Sequence, residues 1–121
     1  MNKQQELNLQ LIALASHNDL NGKKIDKDLR KNLNLWVSAY GFFGGHVGIF
    51  HLIPLRDMEC FWHIDSIALT CKNAHKDELI AIIKKWKPSD IYVYEDKEDG
   101  FYSDTFFHRS EAEVLINVWW D

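Results

Sequence analysis

The sequence predicts a single α+β domain, residues 1–121, with a mostly antiparallel sheet. Three observations lead there. Helical stripes fill the first 40 residues. β-Branched and aromatic runs recur at 46–71, 91–94 and 114–120. Only one amphipathic helix, near residues 74–86, separates those runs, so parallel crossovers are few. The expected order is two N-terminal helices, a β-hairpin, one further helix and C-terminal strands.

Residues 2–16, "NKQQELNLQLIALAS", are rich in helix formers, and Leu7, Leu11, Leu14 and Ala15 recur at helical spacing. The period-two run "LNLQL" makes a strand the competing reading. "SHNDLNGKK" follows as a loop that turns at Asn21-Gly22. Ile25, Leu29, Leu33, Trp36, Val37 and Tyr40 form an apolar stripe that predicts a helix over 27–40. Asp26 is its expected N-cap, Asp28 suits its first turn, and Gly41 stops it. "HVGIFHLI" and "MECFWHIDSIALTC" read as strands flanking "PLRD".

"AHKDELIAIIKKW" is an amphipathic helix with Leu79, Ile82, Ile83 and Trp86 on one side. Asn73 is its expected cap, and Pro88 ends it. "DIYVYE" is a short strand and "DKEDG" an acidic loop. "EVLINVWW" closes the chain as a strand, because Val114, Ile116 and Val118 alternate with Leu115 and Asn117. A capping box of Ser110 and Glu113 would start a helix there instead. In the strand, Trp119 and Trp120 face opposite sides.

Composition narrows function. The chain is 46% hydrophobic and 26% charged, as globular domains are. Five tryptophans in this length predict several core anchors. Cys60 and Cys71 lie eleven residues apart in one extended segment, roughly 35 Å and out of disulfide reach. Free thiols, no leader-like start and no apolar run of spanning length predict a cytoplasmic protein with no membrane partner. Net charge is −4, but residues 91–121 hold eight acidic and two basic residues, whereas 1–90 hold ten and twelve. An acidic domain repels phosphates, so nucleic acid is an unfavourable partner. Lys23, Lys24, Lys27, Arg30 and Lys31 are offset by Asp26 and Asp28 and read as the wet face of a helix.

The stretch 44–65 carries the densest chemistry. With residues 54–57 as a hairpin loop, Ile53 pairs with Met58. His46, His63 and Asp65 then share one face, with Glu59 further along. Two imidazoles and a carboxylate could ligate a metal or exchange protons. A loop of three or five residues separates them. His-x-Asp alone has no zinc spacing or nucleophile motif, so polar pairs on a wet sheet face are the preferred explanation. His51, on the opposite face beside Cys60, is expected to be largely buried and hydrogen-bonded. The glycines of "GFFGGHVG" follow a helix and precede a strand, the reverse of a phosphate loop.

The second stretch is "YVYEDKEDGFYSD". Clustered carboxylates steer a basic partner, and interleaved aromatics supply contact energy. The candidate partner-binding residues are Tyr94, Glu95, Asp96, Glu98, Asp99, Tyr102 and Asp104. Calcium is disfavoured, because the EF-hand ligand order is missing. No catalytic or metal-binding set is assigned and no cofactor is expected. The expected class is a protein-binding inhibitor of the bacterial immunity-protein or antitoxin type, neutralising a basic toxin domain such as a nuclease. The alternative is a small metal-dependent enzyme using His46, His63, Asp65 and Glu59.

Overall fold

A computed structural model describes residues 1–44, 48–56, 58, 60–95 and 111–121. Helix α1 (Lys3–Ile12) opens on a reciprocal cap. Asn2 Oδ1 accepts from the Gln5 amide, and Gln5 Oε1 accepts from the Asn2 amide, both at 2.8 Å. The helix is present, but its buried side is Leu9 and Ile12, while Leu7, Leu11 and Leu14 are exposed. Gln5 and Glu6 decide this rotation. Gln5 Nε2 donates to Val37 O, and Glu6 holds Arg30 through two hydrogen bonds. That guanidinium holds the Glu6 carboxyl below its ordinary range.

A two-residue ladder, β1 (Ser16–His17) with β2 (Leu20–Asn21), turns at Asn18 in the left-handed region. Helix α2 spans Gly22–Lys31, not 27–40. Its cap is Asn21, which accepts from the Lys24 amide; Asp26 instead pairs with Arg30 at 2.7 Å. Asn32 leaves the helical region and donates its side-chain amide to Asp28 O, satisfying an orphan carbonyl of the last turn. Beyond it Tyr40 belongs to strand β3 (Ser38–Phe42). The apolar stripe therefore ran across two elements.

Among the described residues of 46–65 the predicted hairpin is absent. Gly48–Leu55 is a 3₁₀ segment containing Pro54, and the strand β4 begins only at Ser66 and ends at Cys71. Pro54 lacks an amide to give to a ladder. Strand β4 lies in the sheet between β3 and β6 (Val114–Trp119). The expected core residues Ile49 and Met58 are exposed, and so is His51. Trp62 bridges Ala15 instead, donating its amide to Leu14 O at 3.1 Å.

Helix α3 (Lys76–Lys84) follows a 3₁₀ turn at Asn73–His75, so Asn73 starts the turn rather than capping the helix. Leu79, Ile83 and Trp86 are buried as expected, and Ile82 packs partly against them. Strand β5 (Asp90–Glu95) has the expected bounds. The closing segment is the expected strand rather than a helix, with Val114, Ile116 and Val118 inward.

The fold is thus α+β, and its main sheet runs β3-β4-β6-β5 with every neighbour antiparallel. One face carries Ala39, Ile67, Leu69, Cys71, Val114, Ile116 and Val118, packed with Leu9, Ile12, Ile25, Leu29, Leu79 and Ile83 in one core. Burying each such side chain stabilises by about 1.5–3 kcal/mol. Three tryptophans anchor it, each with its indole N–H satisfied. Trp36 donates to Leu29 O, Trp86 to Asp28 Oδ2 and Trp120 to Trp86 O. No helix among the described residues is long and apolar enough to cross a membrane.

Candidate functional site: the aromatic face of the sheet

The sheet face away from the helices is laid out by register. Tyr40, Ala68, Asn117 and Tyr92 form one row across the four strands. Phe42, Ser66, Trp119 and Asp90 form the next, and Ser38, Thr70, Leu115 and Tyr94 the third. Small side chains on β4 lie between rings on either side. Ser38 Oγ and Thr70 Oγ1 are hydrogen-bonded at 2.5 Å across the β3–β4 ladder. Leu115 and Ala112 make a small buried cluster with Ala68 and Tyr94 at one end. Tyr40 and Tyr92 remain 60% and 46% exposed. Tyr40 and Phe42 stack with ring centroids 6.4 Å apart.

Toward the Trp119 end this face deepens into a cavity of about 660 Å³. That is the size of small-ligand sites. The rings of Phe42, Phe43, Tyr92, Tyr94 and Trp119 line it. Its polar lining is Asp65, Ser66, Asn117, Asp121 and His17. No lysine or arginine among the described residues lines it.

Asp65 sits where the central strand enters the sheet. Its amide donates to Phe42 O, and its carbonyl accepts from the Trp120 amide, so both neighbouring strands hold its backbone. The side chain is nearly closed from solvent, the residue being 6% exposed. Oδ1 accepts from the Gly44 amide at 2.8 Å and from Ser66 Oγ at 2.9 Å. Oδ2 accepts only the long 3.4 Å bond of the Trp119 indole. At the exposed edge, Tyr92 hydroxyl donates to Asp90 at 3.3 Å, and that carboxylate pushes the phenol pKa up.

The sequence-derived candidates divide here. Tyr94 lines the cavity. Glu95, one residue on, lies on the other side of the strand and meets Lys76 Nζ at 2.5 Å, tying β5 to α3. Asp96, Glu98, Asp99, Tyr102 and Asp104 lie outside the described residues. His46 and Glu59 do too, so of the proposed metal set only His63 and Asp65 are placed, without the hairpin that was to unite them. Among the described residues no group of three or more His, Cys, Asp or Glu could hold a metal ion.

Sequence reasoning missed Tyr40, Phe42, Asn117 and Trp119 as a common surface. The signal was period-two alternation in 38–42, hidden by the helical stripe that ran into it. No family model, curated protein or solved structure matches the chain.

Proposed function

We propose that this protein is a protein-binding inhibitor of the immunity-protein or antitoxin type, which neutralises a basic partner by docking it on the aromatic sheet face and the acidic segment that follows β5. The observation that carries this reading is the pairing of exposed rings with carboxylates on one side of the sheet. Tyr40 and Asp90 share this sheet face with Phe42, Tyr92 and Trp119, the last three lining the cavity with Asp65 and Asp121, and no lysine or arginine among the described residues is in that lining. Aromatic side chains provide most hot-spot energy at interfaces, and clustered carboxylates speed the encounter with a cationic surface. The segment 96–104, which follows β5 in sequence, adds four more acidic side chains, Asp96, Glu98, Asp99 and Asp104. A toxic nuclease fits as partner, because it must be basic to bind nucleic acid.

The test is capture of a partner from the host lysate by the wild type and by a Tyr40→Ala/Tyr92→Ala/Asp90→Asn variant. These three residues are exposed, so the variant keeps its core. The expected result is one basic protein retained by the wild type, shed as salt rises, absent from the variant, and inactivated when the wild-type protein is added stoichiometrically. Equal capture by both proteins, or an active partner at saturation, overturns the reading.

A further inference from the structure

We infer that the cavity beside Trp119 is an arginine pocket, receiving the guanidinium of one arginine side chain of a basic partner against Asp65 and the surrounding rings. This rests on the docking reading above and deepens it.

Asp65 is the anomaly that points there. Other partly shielded carboxylates among the described residues meet a cation. Glu95 has Lys76, Asp26 and Glu6 have Arg30, and Asp28 has Lys24. Asp65, more buried than any of them, accepts among the described residues only from neutral donors: an amide, a hydroxyl and a distant indole. An ionised carboxylate offers about four lone-pair sites. Three are used, and the weakest bond and the vacant site both belong to Oδ2. A buried charge without a countercharge is costly, and a cation entering the cavity would offset that cost.

The walls select the kind of cation. Phe42, Phe43, Tyr92, Tyr94, Trp119 and Trp120 are all in the lining, and a cation over an aromatic face is attracted by the ring quadrupole. A guanidinium is planar, stacks on such faces and sheds water more readily than an ammonium. It also carries five N–H donors. Asp65 Oδ2 meets one or two, and Asn117 and Asp121, residues of the lining, offer oxygen acceptors for the others. A volume of about 660 Å³ admits the methylene stem as well as the head group.

The probe is Nα-acetyl-arginine amide, titrated at pH 8 while the Trp119 indole N–H resonance is followed by NMR. The resonance is assigned by its loss in Trp119→Phe. The expected result is a saturating shift with a Kd of about millimolar, as suits so small a ligand. Nα-acetyl-lysine amide should bind at least ~5-fold more weakly. Asp65→Asn keeps an acceptor for the Gly44 amide and removes the charge, and should weaken binding about tenfold. Tyr92→Leu alters an exposed ring and should weaken it about threefold.

A shift that never saturates overturns the proposal. So does equal or tighter binding of the lysine probe, or full affinity in folded Asp65→Asn. Should Asp65→Asn fail to fold, undiminished binding by Tyr92→Leu overturns it alone. A silent probe alongside salt-sensitive partner capture removes the pocket and leaves the docking function. A bound probe with no partner captured does the reverse.

Discussion

Gly22 stands at the first position of α2, where the chain of the preceding loop crosses it. A Cβ there would lie 1.9 Å from Ile12 O and 2.6 Å from Ala15 O, and its amide already donates to Ala15 O. Backbone cannot move aside as a side-chain tip can. Gly22→Ala should therefore cost about 3 kcal/mol through overpacking. Gly48 is the contrast: it has φ +72° but open space around its Cβ position, so Gly48→Ala should cost about 1 kcal/mol from backbone conformation alone. Urea unfolding of the two variants checks the ordering; equal losses would mean that the Gly22 contact relaxes. The sequence marked Gly22 as a turn residue, which is a local property. Its true constraint comes from a carbonyl ten residues away and is written in no local pattern. Asp65 teaches the same at longer range. It stood out in sequence as a neighbour of His63, yet its partners are Gly44 and Trp119, 21 and 54 positions distant.

At the scale of elements, legibility follows agreement between local preference and tertiary demand. Strand β5 and strand β6 were readable because their alternation matches the faces they present, and α3 because its stripe meets the core. Residues 48–55 have strong β preference but form a 3₁₀ segment, so local preference lost to the tertiary context. The aromatic site was only half legible for a related reason: Tyr92 and Tyr94 lay in a recognised strand, whereas Tyr40 was read as the end of a helix and Phe42 lay past its expected stop at Gly41. Helix α1 shows the subtler failure. Two leucine-rich stripes lie side by side, and hydrophobicity alone picks the larger, Leu7 and Leu11. The structure buries Leu9 and Ile12 instead. Leu9→Ala should thus cost about 3 kcal/mol and leave a cavity, while Leu11→Ala should cost less than about 1 kcal/mol. Thermal melts of both variants decide which stripe faces inward.

For the molecule as a whole, the core joins all three helices to one face of the sheet in a single cluster. Exposing its centre therefore requires opening most of the molecule at once. Cys71 sits in that centre with no accessible surface, whereas Cys60 is exposed. Ellman's reagent at pH 8 should accordingly find one thiol in the native protein and two in denaturant. The second should react natively only as fast as the molecule unfolds. Burial also pushes the Cys71 thiol from its ordinary 9.0 up to about 11; Lys76 opposes this and Glu113 adds to it. A raised value means that the fold holds the proton where the unfolded chain releases it. This contribution to stability is whole below pH 9.0, falls between 9.0 and about 11, and is gone above. Lysines titrate in the same window, so the measurement is a difference: urea stability of wild type minus that of Cys71→Ala, taken across the range. That difference should decline with pH, and a flat line would mean that Cys71 ionises as readily in the fold as outside it.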